Sequence, residues 1–114
     1  MQIPSFLPHQ VTVSLEDVEV SRKKVTRKPH HHFVTDQVDP YDCPLVRALR
    51  RVIPAEHWLN IWMEDDYVPR LETPGGDCFE AHLTGAAQER MRQYDRHSIS
   101  PAGQLIKLHW TEAE

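Results

Sequence analysis

The chain has 114 residues, a net charge of −4, 39% hydrophobic and 26% charged residues. A chain this long suits one domain with one core, burying roughly two-thirds of its unfolded surface, and its three Trp, three Tyr and three Phe exclude a wholly disordered polar chain. No run approaches the roughly 20 apolar residues of a membrane span, and the two cysteines are too few for a disulfide scaffold.

Nine prolines against four glycines point to stiff, extended connections. The opening MQIPSFLPHQ has neither the basic start nor the apolar run of a signal peptide, so Cys43 and Cys78 are expected as reduced thiols in a cytosol. The charge is unevenly placed. Arg22, Lys23, Lys24, Arg27 and Lys28 lead into His30, His31 and His32. Carboxylates gather as Glu16, Asp17 and Glu19 and again as Glu64, Asp65 and Asp66.

In VTVSLEDVEV, Val11, Val13 and Leu15 alternate, and the pattern resumes out of phase at Val18 and Val20. That slip predicts two short strand pieces, or one strand bulged near Glu16 and Asp17. Residues 21–41 keep no amphipathic period and read as a long basic, His-rich surface loop, with a short strand at HFVT. Loops of that length are functional or mobile.

A helix follows in DPYDCPLVRALRRVIP. Asp42 is placed to cap it, and Pro44 suits a first turn, where a missing N–H costs nothing. Leu45, Val46, Ala48, Leu49, Val52 and Ile53 make one apolar face, Arg47, Arg50 and Arg51 take the other, and Pro54 ends the helix.

HWLNIWM alternates as a strand, with Leu59, Ile61 and Met63 on one face and Trp58, Asn60 and Trp62 on the other. EDD then makes a turn into a return strand YVPRL, which Pro69 would place on an edge. ETPGGD is a loop by composition. A second helix runs from about Thr84 to Tyr94 with Ala87, Met91 and Tyr94 inward. SISPAG turns the chain, and QLIKLHW closes with Ile106, Leu108 and Trp110 on its inner face. This order gives an α+β two-layer sandwich, an antiparallel or mixed sheet of about four strands with two helices on one face. A ferredoxin-like split β-α-β arrangement is one candidate topology.

A thiol at a helix N-terminus gains thiolate character, so Cys43 admits a nucleophile reading. No catalytic signature surrounds it, however, and a buried residue under the first helical turn is the stronger reading. PHHHF invites a metal, with Cys43, Cys78, His57, His82, His97 or His109 as further ligands. Only His30 and His32 share a face of an extended chain, and no C-x-x-C, H-x-x-x-H or H-E-x-x-H spacing occurs, so no metal or other cofactor is expected. No G-x-S-x-G elbow is present, which favours a non-enzymatic protein.

Two surfaces remain. Glu64, Asp65 and Asp66 form an acidic patch suited to a cationic partner, with a solvated turn as the plainer reading. Arg22, Lys23, Lys24, Arg27, Lys28, Arg47, Arg50 and Arg51 suit phosphate. Trp58 and Trp62, if exposed, suit stacking on bases, a protein hot spot or a homodimer surface.

At DCPLVRALRR the sequence resembles a group of small, mostly uncharacterised proteins of bacterial viruses and prophages, in which a Cys-Pro dipeptide opens a short Ala- and Leu-rich helix between strands. Cys43, Pro44, Leu45, Ala48 and Leu49 carry the resemblance, with MRQYDRHSISP and LIKLHW resembling the end of the pattern, over roughly residues 10–110. The basic, His-rich insertion before Cys43 departs from it. The resemblance implies a phage accessory protein that binds a host protein or nucleoprotein, as antagonists of CRISPR and other defences do, and it transfers no catalytic residue.

Overall fold

A computed structural model describes residues 3–26, 43–64, 67–97 and 100–113. Among them, β1 (Gln10–Thr12), α1 (Leu15–Thr26), α2 (Pro44–Val52), β2 (Asn60–Glu64), β3 (Val68–Glu72), β4 (Cys78–His82), α3 (Gly85–His97), β5 (Leu105–Lys107) and β6 (His109–Glu112) follow in order, with a 3-10 turn at Ala55–His57. The fold is α+β. Its strands form two antiparallel sheets, β1-β5 and β2-β3-β4-β6.

The phase slip after Leu15 marks a helix, contrary to the expected second strand. Ser14 and Asp17 cap each other reciprocally: the Asp17 N–H donates to Ser14 Oγ (3.1 Å) and the Ser14 N–H to Asp17 Oδ2 (2.9 Å). That capping box satisfies two first-turn donors and starts α1 where the alternation breaks. Asp17, Val18 and Ser21 are then buried at helical spacing, while Leu15, which strand alternation would place inside, is 61% exposed. Residues 21–26 continue α1 and are not loop. The remainder of the expected basic loop, with HFVT and His30 to His32, lies outside the described residues, as do Asp42, Asp65 and Asp66.

α2 has the expected inner face, with Leu45, Val46, Ala48, Leu49 and Ile53 buried. Its N-cap is Cys43 rather than Asp42: the Val46 N–H donates to Cys43 Sγ at 3.5 Å, and Pro44 opens the first turn. Val52 departs from the predicted face and is 42% exposed. α2 packs on α1, β1 and β2.

β2, β3 and β4 form a meander. β4 takes the place of a connection expected to run as loop into α3, and its alternation of buried Phe79 and Ala81 with outward Cys78, Glu80 and His82 is regular. With β4 present, β3 is an interior strand, against the expectation from Pro69. Pro69 faces Met63 of β2, and the ladder with β4 begins one residue later, at Arg70 opposite Glu80. The proline therefore stands just past the end of that ladder, where its missing N–H removes no β4 bond. The β3–β4 loop closes through Thr73, which takes the Asp77 N–H on Oγ1 and the Gly76 N–H on its carbonyl. Gly76 supplies the positive φ of 92° that the turn needs.

Consecutive hairpins rule out the ferredoxin-like topology. The closing run is also divided. Ile106 pairs with Val11 in one sheet and Trp110 with Ala81 in the other, with Leu108 between them. All three are buried as expected, and the Leu108 N–H donates to His9 O at 2.8 Å. α3 buries Ala87, Met91 and Tyr94 as read, with Thr84 Oγ1 accepting the Ala87 N–H at its start. Phe79, Leu45, Leu49, Ile53, Ile61, Leu71 and Ile106 are the largest fully buried side chains among the described residues, each worth about 1.5–3 kcal/mol of transfer from water.

Candidate partner-binding face

Because side chains alternate across a strand, burying Ile61, Leu71, Phe79, Ala81 and Trp110 turns the intervening residues outward. The register aligns Trp62, Arg70, Glu80 and Thr111 in one row across all four strands. Glu64, Glu72, Cys78, His82 and His109 flank that row, with His82 opposite His109.

The row is one continuous polar network. The Trp62 indole N–H donates to Glu64 Oε1 at 2.7 Å. Arg70 lies between carboxylates, with Nη1 3.9 Å from Glu64 Oε1 and Nη2 donating to Glu80 Oε2 at 3.3 Å. The other Glu80 oxygen is 3.5 Å from His82 Nε2, which is also 2.8 Å from Thr111 Oγ1. Three carboxylates thus share a face with one guanidinium, and Trp62 lies at its β2 edge. Ion pairs this exposed contribute about 0–1 kcal/mol each to folding. The arrangement therefore adds little to stability while giving a sheet surface a negative potential and an aromatic anchor.

Cys78 lies within this face. Its thiol is pushed above its ordinary pKa, first by burial and then by the charges of Glu72, Glu80 and Glu64, with Arg70 opposing them. It is held as a neutral thiol, a poor nucleophile. Cys43 is buried as the α2 cap, and no disulfide joins the two. Cys78 and His82, four residues apart, stand about 13 Å apart along one strand, too far to share an ion. Among the described residues, no three His, Cys, Asp or Glu side chains gather to hold a metal.

The sequence-predicted residues separate. Glu64 and Trp62 belong to the face. Trp58 does not: its indole N–H donates to Ile53 O at 3.0 Å, its ring packs on the core, and the Arg50 guanidinium lies 5.7 Å from the ring centroid. Arg50 Nη2 also donates to Ile61 O at 2.8 Å. Arg51 Nη2 donates to Thr12 O at 2.9 Å and pairs with buried Asp17 at 3.1 Å. Arg47, Arg50 and Arg51 all border a groove between α1 and α2. Arg22, Lys23 and Lys24 stand on α1, with side chains outside the described parts. Arg27 and Lys28 lie outside the described residues.

Sequence reasoning missed Arg70, Glu72 and Glu80. The signal was the alternation in CFEAH, hidden by a preceding PGGD that reads as loop. No helix among the described residues is long and apolar enough to cross a membrane. The chain matches no family model, and neither curated proteins nor solved structures contain a match.

Proposed function

We propose that this is a non-catalytic binding protein that docks its acidic sheet face on a cationic surface of a host protein or nucleoprotein and so inhibits or modulates it. The observation that carries this reading is the network from Trp62 through Glu64, Arg70 and Glu80 to His82. A surface of one predominant sign steers an oppositely charged partner and mainly sets the association rate. A tryptophan beside that charge is the residue type that anchors interfaces. The setting, a phage-type accessory protein acting against host machinery such as a defence complex, rests on the Cys43-Pro44 resemblance.

The test is capture from bacterial host lysate with and without nuclease, using wild type and the E64Q/E72Q/E80Q variant. The expected result is a stoichiometric protein that survives nuclease and is lost with the variant. With that partner purified, the triple variant slows association about tenfold and flattens its salt dependence, and Trp62→Ala mainly speeds dissociation. A partner bound equally by all variants removes this face from the argument.

A further inference from the structure

At the end of the acidic face opposite Trp62 stand two imidazoles. His82 on β4 and His109 on β6 are register partners, both exposed, with ring centroids 6.4 Å apart. His82 Nε2 lies 3.5 Å from Glu80 Oε1 and 2.8 Å from Thr111 Oγ1. The Glu80 carboxylate therefore has Arg70 on one side and His82 on the other.

Imidazole is the side chain whose charge ordinarily changes between about pH 5 and 8. Carboxylates ordinarily titrate at about pH 4 and guanidiniums above about 12, outside that window. Cys78, held above its ordinary pKa chiefly by burial, stays neutral within it. Among the described side chains of the face, Glu64, Glu72 and Glu80 are answered by the single guanidinium of Arg70, which leaves two carboxylates in excess. Two imidazoliums match that excess. The other charged or titratable groups around the pair come from each neighbouring element: Glu80 from β4, Arg70 from β3, Lys107 two residues before His109, and His9, which lines a cleft with His109. Glu112, opposite the buried Phe79, turns to the other side of β6.

We propose that His82 and His109 make docking at the acidic face pH-dependent. With both rings neutral the face attracts a cationic surface, and with both protonated its excess charge is cancelled and the attraction is lost. This rests on the acidic-face reading and adds the regulation of that face. Protonated His82 is also a charged donor beside Glu80, so that carboxylate is then answered from both sides within the protein itself. The summed charge of a surface steers its partner, so the effect falls mainly on association and fades as salt rises.

Labelled decalysine is the probe, because lysine keeps its charge across the window and any pH dependence then belongs to this chain. Anisotropy at low salt gives its Kd at about pH 8 and about pH 5.5 for the full chain and its variants, with thermal melts at both pH values to check folding. H82Q/H109Q fixes the pair neutral, and H82K/H109K fixes it positive. H57Q is the control, a histidine stacked on Phe6 outside the face. For wild type and H57Q the Kd should rise about tenfold on acidification. H82Q/H109Q should lose most of that change, and H82K/H109K should bind at pH 8 as weakly as wild type does at pH 5.5. The proposal falls if H82Q/H109Q weakens with acid as much as wild type, or if H82K/H109K matches wild type at pH 8. The E64Q/E72Q/E80Q variant separates the two readings. If it binds decalysine at pH 8 as tightly as wild type, or if wild type does not bind at all, the acidic-face reading falls and takes this one with it. If it loses binding while H82Q/H109Q keeps the wild-type pH profile, only the regulation falls.

Discussion

On the sheet face, Arg70 meets Glu64 and Glu80 side chain to side chain, across neighbouring strands and within reach of water. On α2, Arg50 and Arg51 reach past the surface to the backbone oxygens of Ile61 and Thr12 and to buried Asp17. Both regions are rich in charge, yet the first could lose its charges with the fold intact, and the second uses Arg50 and Arg51 to fasten a helix. Charge composition therefore does not identify a binding surface. What the charged atoms touch does.

That contrast can be tested by removing one charge at a time and following urea denaturation. Asp17→Ala should have the largest effect, about 2 kcal/mol, because it removes a helix cap and leaves Arg51 and the Ser14 N–H without their buried acceptor. Arg50→Ala should cost about 1–2 kcal/mol by freeing Ile61 O and uncovering the Trp58 ring. Glu80→Gln on the sheet face should stay within about 0.5 kcal/mol. A loss for Glu80→Gln as large as that for Asp17→Ala would erase the distinction.

The smallest effect concerns Cys78. Its raised pKa means the folded state holds the proton more tightly than the unfolded chain. The associated stability is complete below the ordinary thiol pKa and is lost as pH rises through the higher folded value. Iodoacetamide alkylation of the folded protein, mapped by mass spectrometry, should therefore turn on above the ordinary thiol range. Glu80→Gln should move that midpoint down, since Glu80 is one of the charges holding it up. A midpoint that ignores Glu80 would leave burial and the charges of Glu72 and Glu64 as the cause.

Much of the framework was readable in the sequence because single residues enforce it. Pro44 and the i, i+1, i+3, i+4 apolar spacing fix α2. Thr84 with Ala87, Met91 and Tyr94 fixes α3, and the strict alternation through Ile106, Leu108 and Trp110 fixes the last strands. The failures share a cause. VTVSLEDVEV holds both a period of two and a capping box, and only the tertiary burial of Val18 and Ser21 decides between them. Pro69 points to an edge through its missing N–H, and β4, the strand that makes β3 interior, follows a PGGD that reads as loop. The candidate site was half visible: Trp62 and Glu64 are two residues apart on one strand, whereas Arg70 and Glu80 join them only through strand register, which depends on the missed strand.

The division of the closing run at Leu108 also bears on how the molecule folds. β1 cannot pair until residues 105–107 arrive, so the shorter sheet closes a loop of more than 90 residues. Contacts this distant in sequence carry a high loop-closure entropy and slow the search for the native state. During synthesis Val11 must wait for Ile106 and the Val13 N–H for Gln104 O to emerge, and until then a hydrophobic strand remains without its partner, a state that favours aggregation or chaperone capture over early folding.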